Sequence, residues 1–257
     1  MKNPVKAKIE NGEKVIGTFF QLGSNTAVEC LGISGLDFFI IDTEHGPFDI
    51  ETSIDFVRTA EVRNITPFAR IKDISRPSVL KMLDIGARGL IVPCVHTIEE
   101  VRNLVEWAKY YPTGNRGFFT ARPAGYGFDS IVDNIHDYFR ICNEETLLIP
   151  QCETKGCYEN IEDIVNIDGV DGIFIGPYDL SIGLGIPLEF NNPKYLEAIS
   201  RILQVCKDAR KFSFIYTGDK SMARQHLADG FDGVAINIDA AVYISAYRDL
   251  INAIRKG

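Results

Sequence analysis

Eight short apolar runs recur along the chain, and each is followed by a stretch with helical patterning. The runs are VIGTFFQL (15–22), LDFFIID (36–42), TPFARI (66–71), GLIVPCV (89–95), LLIPQCE (147–153), DGIFIGP (171–177), FSFIYTG (212–218) and DGVAINI (232–238). The helical stretches cover 25–34, 49–64, 75–86, 97–111, 157–167, 193–210, 220–229 and 240–256. Inside a run the apolar residues are nearly continuous rather than alternating. Such a strand is apolar on both faces, as a parallel strand is when helices cover the sheet. Eight strand–helix units in 257 residues match the count and size of a (β/α)8 TIM barrel, an α/β fold. A doubly wound open sheet is the second choice. No linker rich in glycine, serine or proline divides the chain, so a single domain over 1–257 is expected. The one long irregular piece, 111–130, is of a length that compact domains keep for function or for covering something.

Bulk chemistry narrows the function. A net charge of −8 provides no basic face, which disfavours a nucleic-acid partner. No apolar run reaches the length of a membrane span, and the first residues lack the apolar core of an export signal. Six cysteines with no CxxC pair, several of them inside apolar runs, read as buried, reduced thiols of a cytoplasmic protein.

Barrel enzymes place their chemistry at the C-terminal strand ends. Polar residues there are Gln21, then Asp42, Glu44 and His45, then Arg70, Gln151, Glu153, Asp179, Thr217 and Asn237. Helix capping is the plainer account of Asp49 and a competing one for Asp42. Glu153 and Asp179 each follow an apolar run, where an unpaired charge is costly. Two carboxylates at one mouth repel unless a cation sits between them, and oxygen ligands suit Mg²⁺ or Mn²⁺ better than zinc. Crowding of acids at a barrel mouth is the bland alternative. A lone histidine is more often a solvated residue than a catalyst, but His45 has Asp42 and Glu44 beside it, and a carboxylate on one ring nitrogen fixes the tautomer. Arg70 is either a surface residue or a fixed cation for an enolate. His96, His136 and His226 read as loop or helix-surface residues, and Arg122 as a surface arginine. No apolar run contains a lysine for a Schiff base, and no phosphate-binding loop or nucleophile elbow occurs.

The segments FFIIDTEHGPFD, PFARI, LDIGARGLIVPCV, YPTGNRG, QCETKGCYENIEDI and GVDGIFIGPYDLSIGLG resemble the signature blocks of the class II pyruvate aldolases of the HpcH/HpaI aldolase/citrate lyase family. That group includes 4-hydroxy-2-oxoheptane-1,7-dioate and 2-keto-3-deoxy-sugar-acid aldolases. The blocks run in family order over nearly the whole chain, and DTEHGP together with GPYDLS is specific. The resemblance implies a phosphoenolpyruvate/pyruvate-type TIM barrel. It also implies a homohexamer built as a trimer of dimers, with a C-terminal helix exchanged between subunits. A divalent metal (Mg²⁺ or Mn²⁺, with Co²⁺ also accepted) would chelate pyruvate. By position, Glu153 and Asp179 resemble the metal ligands, His45 the general acid/base, Asp42 its orienting partner, and Arg70 the stabiliser of the enolate. Gln151, Gly176 and Pro177 match substrate-binding positions. Asp84 matches an acid that supports the site, and Arg116 lies in a segment near a subunit contact. Cys152 replaces a commonly aliphatic residue and is expected to point away from the mouth. The implied reaction is reversible cleavage of a 4-hydroxy-2-oxo acid to pyruvate and an aldehyde. Two alternatives stand beside it: an acyl-CoA-type lyase on the same barrel, and a non-catalytic barrel that binds a 2-oxo acid.

Overall fold

The computed structural model describes residues 2–256. A short helix α1 (Pro4–Glu10) precedes β1 (Val15–Phe20), α2 (Asn25–Ile33), β2 (Phe38–Asp42), α3 (Ile50–Arg63), β3 (Thr66–Arg70), α4 (Arg76–Ile85), β4 (Gly89–Val92) and α5 (Ile98–Ala108). An irregular segment leads to α6 (Ile135–Glu145), β5 (Leu147–Cys152), α7 (Lys155–Glu159), α8 (Ile161–Val165) and β6 (Gly172–Ile175). The chain ends with α9 (Pro177–Gly183), α10 (Pro193–Asp208), β7 (Phe212–Thr217), α11 (Lys220–Asp229), β8 (Gly233–Ile238) and α12 (Asp239–Lys256). All strands pair in parallel and in order, and β8 pairs with β1, so the sheet closes into a barrel and the open-sheet alternative falls.

The apolar runs divide into two cores. Residues facing inward, among them Phe19, Phe38, Phe68, Phe174 and Phe214, fill the barrel interior. Outward residues such as Phe39, Ile41, Leu90 and Ile173 meet the helices. The large interior rings need small neighbours: a Cβ on Gly89 would come 2.8 Å from the Phe68 ring, and one on Gly17 would overlap Phe38. Side chains cap most of the helix starts that follow the strands. Asp49 accepts from the Thr52 N–H at 2.8 Å, and Thr97 forms a capping box with Glu100.

The expected helix over 157–167 is two short helices that break at Asn160, the last cap of α7 and the first of α8. Helices α1, α6 and α9 have no counterpart among the expected elements. The 111–130 loop carries a 3₁₀ turn, Arg122–Gly127, runs into a second, Ser130–Val132, and exposes Phe119, Tyr126 and Phe128. Helix α12 touches little but β1 and β8 and leaves Val242, Tyr243, Ile244, Tyr247, Leu250, Ile251 and Ile254 exposed.

Candidate active site at the C-terminal mouth of the barrel

The register of β2 and β3 sets Asp42 beside Arg70. Residues paired across parallel strands point to the same face, so both enter the mouth. Arg70 donates from Nε to Asp42 Oδ1 at 2.9 Å and from Nη2 to Oδ2 at 2.8 Å, a bidentate fork. Its Nη1 lies 3.2 Å from Glu44 Oε2, and its guanidinium sits 4.7 Å over the Phe19 ring. Burial works against the Asp42 charge, but the hydrogen bonds and charge of Arg70 outweigh it and hold the carboxyl below its usual value. Burial likewise opposes the Arg70 charge, and Asp42, Glu44 and Glu153 more than compensate.

Asp42 does not bond the His45 ring, so the expected orienting dyad is corrected. Its Oδ1 accepts from the backbone N–H groups of Glu44 and His45, both at 3.2 Å, and its Oδ2 accepts from Gln21 Nε2 at 3.0 Å. The reason is the tight turn at Gly46, where a Cβ would run into the Asp42 carbonyl oxygen. That turn brings backbone amides over Asp42 and swings the imidazole outward. The His45 side chain is 66% exposed, with Nε2 3.8 Å from Glu44 Oε2. Glu44, not Asp42, is the carboxylate beside the ring. Gln21 is itself fixed from the last strand–helix junction: buried Asp239 accepts from the Gln21 N–H at 2.8 Å and the Leu22 N–H at 3.1 Å.

Glu153 follows β5 and is buried. Its Oε1 accepts from the Cys94 N–H at 2.7 Å, and its Oε2 accepts from Gln151 Nε2. Burial pushes its carboxyl above the usual range, and the charges of Glu44 and Asp179 add to the push. Glycine is required at 176, because a Cβ there would come 2.7 Å from both Gln151 Nε2 and Glu153 Oε2. Gly176 and Pro177 start α9, so Asp179 stands on the first helical turn, not on the strand end where it was expected. It is exposed and faces the mouth with Gln151, Gly176 and Pro177.

Cys94 leaves β4 with a φ of 55° and an exposed thiol, against the expectation that every cysteine is buried. Cys30 is exposed too, while Cys142, Cys152, Cys157 and Cys206 are buried. Burial pushes the Cys94 thiol up to about 11, with Glu153 and Glu44 contributing. Cys152 lies in the outer core, away from the mouth as expected.

Do these residues fit a divalent cation? Glu44, Cys94 and Glu153 each offer a ligand atom, and those atoms lie within 4.8 Å of one another. Asp179 adds charge from α9. The nearest guanidinium, Arg70, is engaged by Asp42 and Glu44, and buried Gln151 Oε1 has no partner. Oxygen donors, uncompensated acidity and an unpaired acceptor all suit such an ion.

The cavity at the mouth holds about 300 Å³ and is lined by Phe19, Gln21, Asp42, His45, Arg70, Gln151, Phe174, Gly176, Pro177, Tyr178, Asp179, Tyr216 and Ile238. Its aromatic wall escapes sequence reading, because inward phenylalanines and tyrosines look like any other core residue. Thr217 and Asn237, named as strand-end candidates, are displaced by their neighbours Tyr216 and Ile238, since strand residues alternate between faces. Asp84 is not at this mouth. It accepts from Arg116 Nη2 at 2.8 Å, and Arg116 stacks 4.7 Å over Tyr110. Arg122 is tied to Glu61 and to the Ile85 carbonyl rather than free at the surface. His226 is likewise partly buried, packed on Phe231. The one buried lysine among the described residues, Lys109, is held at the opposite end, where Nζ donates to Asp171 at 2.7 Å and to the carbonyls of Asn143 and Thr146.

Comparison with known proteins follows the same outline. The family model described as HpcH/HpaI aldolase/citrate lyase matches residues 15–246. A 2-keto-3-deoxy-L-rhamnonate aldolase of Klebsiella pneumoniae subsp. pneumoniae is 33% identical over 248 residues, 96% of this chain and 91% of the relative. The protein of that name from Escherichia coli (strain K12) is 31% identical over 259 residues, covering 100% and 95%. Among solved structures, an HpcH/HpaI aldolase from Desulfitobacterium hafniense DCB-2 superposes with a TM-score of 0.88 at 27% identity, covering 98% and 96%. The citrate synthase SbnG gives 0.87 at 28%, covering 98% of each chain.

Proposed function

The chain belongs to the HpcH/HpaI aldolase/citrate lyase family, and from that premise we propose how its mouth works as the site of a class II pyruvate aldolase. The activity is that of a carbon–carbon lyase which reversibly cleaves a 4-hydroxy-2-oxo acid to pyruvate and an aldehyde. The observation that carries this reading is that Arg70, His45, Gln151 and Asp179 line one cavity, with buried Glu153 bonded to Gln151.

Glu153 and Asp179 would hold a divalent ion, Mg²⁺ or Mn²⁺ with Co²⁺ also accepted, whose chemistry is Lewis-acid stabilisation of a 2-oxo acid and its enolate. Arg70 adds a second fixed positive charge at the developing oxyanion. Asp42 keeps that guanidinium in place, so no reorganisation is needed as charge forms. His45 moves the proton between the site and the 4-hydroxyl or the pyruvate methyl, with Glu44 beside its Nε2. Gln151, Gly176 and Pro177 form the floor for pyruvate. The aromatic wall excludes water on the side where the aldehyde leaves.

We assign these roles to a single aldolase domain spanning 1–257, working in the cytoplasm on small molecules. The exposed apolar face of α12 supports exchange of that helix between subunits and a trimer of dimers. Asp84, bonded to Arg116 outside its own mouth, would support a neighbouring subunit's site. The acyl-CoA alternative calls for a basic nucleotide groove. The groove beside the mouth, between α10 and α11, is lined by Asp219, Asp229 and a single lysine, Lys207, whose Nζ is bonded to the Asp229 carbonyl.

Exchange of pyruvate methyl protons in deuterated buffer, with Mg²⁺ or Mn²⁺ and then with excess chelator, tests the reading. Exchange that stops on chelation is the expected result. Exchange that persists unchanged rejects the metal scheme, and no exchange with any ion leaves the non-catalytic barrel standing.

A further inference from the structure

Cys94 is the one group around Glu153 without a role in the scheme above. Its backbone N–H donates to Glu153 Oε1 at 2.7 Å, and its Sγ lies 3.7 Å from Glu44 Oε1. The sulfur and the two carboxylates offer atoms all within 4.8 Å of one another. Metal–sulfur bonds of about 2.3 Å and metal–oxygen bonds of about 2.0–2.2 Å put ligands on one ion no more than about 4.5 Å apart. The trio therefore closes on a single ion with small side-chain movements. A second observation points the same way. Gln151 is 2% exposed, its amide is bonded to Glu153, and its Oε1 has no partner. A buried acceptor without a protein partner beside a ligand calls for an ion or a water.

We infer that Cys94 is a sulfur ligand of the divalent ion held at Glu153, which makes the site a mixed oxygen–sulfur centre that favours borderline ions such as Co²⁺ or Zn²⁺ over Mg²⁺. This rests on the proposed metal site at Glu153. As the sulfur–metal bond forms, the thiol proton passes to solvent, and no electron transfer is involved. Thiolate donors select softer ions, whereas carboxylates alone suit hard ones. Cys94 is also an exposed thiol, which an ion bound to its sulfur would shield from alkylation and oxidation.

The test is anaerobic titration of Co²⁺ into metal-free protein, read by near-ultraviolet sulfur-to-cobalt charge-transfer absorption and in parallel by calorimetry. Wild type is expected to develop the band at one equivalent. Cys94→Ser and Cys94→Ala should lose the band yet still bind Co²⁺. Their affinity should fall by about 10–100-fold, the scale seen when a supporting partner of a metal site is lost. Their affinity for Mg²⁺ should stay within a few-fold of wild type. Co²⁺ binding by wild type with no band overturns the sulfur assignment and leaves the Glu153 site intact. So does a band that survives both substitutions, which places the sulfur at another cysteine. Failure of wild type to bind any divalent ion overturns both readings at once.

Discussion

The mouth of this barrel has two unlike walls. Strands β2, β3 and β5 and the residues just beyond β2 and β5 supply Asp42, Glu44, His45, Arg70, Gln151 and Glu153, and nearly every polar atom there is held by another. Strands β1, β6, β7 and β8, with the first turn of α9, supply Phe19, Phe174, Tyr178, Tyr216 and Ile238, whose four rings pack on one another. Phe19 meets Phe174 at 5.9 Å and Tyr216 at 5.7 Å, and Tyr178 meets Tyr216 at 5.8 Å. The walls join where Arg70 lies over Phe19. The difference assigns the work. On the proposed scheme, fixed charge on one side does the chemistry, and the apolar side keeps water out so that the charge acts at low dielectric.

Removing a charge from the first wall, or the Asp179 carboxylate that faces it from α9, should cost most. Glu153→Gln or Asp179→Asn is expected to abolish metal-dependent cleavage, measured as pyruvate release with saturating Mn²⁺. Retained turnover in either variant would move the ion elsewhere. Next comes His45→Ala, with an expected loss of about 10²–10⁴ in rate. Full methyl-proton exchange in that variant would end the acid/base role.

The aromatic wall should matter less to rate and more to choice of aldehyde. It offers no cation, and Arg70 across the cavity is already paired with Asp42 and Glu44. An aldehyde bearing a carboxylate should therefore react more slowly than an uncharged one. Tyr216→Ala should lower kcat/KM for apolar aldehydes by about 10–200-fold, the range one hydrophobic contact commands. Equal rates across charged and uncharged aldehydes would break the division between the walls.

The smallest effect is on stability. Burial lifts the Glu153 carboxyl above the ordinary 4.5, so the folded chain holds that proton more tightly than the unfolded chain does. Metal-free protein should gain stability from this group as pH falls through the raised value towards 4.5. Asp42 acts oppositely: its contribution is present above 3.8 and is lost as pH falls through its lowered folded value. At neutral pH, metal-free Glu153→Gln should melt about 2–4 °C higher than wild type, equivalent to ~1 kcal/mol. A lower Tm would mean that the bonds from Cys94 and Gln151 outweigh the burial of charge.

The barrel was legible because a doubly buried parallel strand leaves a continuous apolar run, and all eight runs became strands. Helices α1, α6 and α9 were not. Helix α1 is brief and charged, α6 lies in a polar stretch, and α9 starts at Pro177 directly beyond a strand. Polar strand ends such as Arg70 and Glu153 could be read because charge after an apolar run is unusual. The Asp42–Arg70 fork could not, since it depends on strand register between residues 28 apart in sequence. The aromatic wall was hidden by its likeness to core. Cys94 was hidden in the same way inside GLIVPCV, until a left-handed backbone turned its thiol outward.

One small junction reaches further than its size. Asp239 is the first residue of α12, and its carboxylate grips the loop that carries Gln21, whose amide in turn holds Asp42. The outgoing helix and the charged wall thus share a mechanical linkage, like a lever and the pin it bears on. A chain lacking residues 240–256 keeps every mouth side chain, so lowered turnover in it would register that linkage and unchanged turnover would dissolve it. If the lever holds and α12 is exchanged between subunits as proposed, the direction in which a neighbour pulls that helix tunes the field inside the mouth, and assembly becomes a setting of the catalyst as well as its packaging.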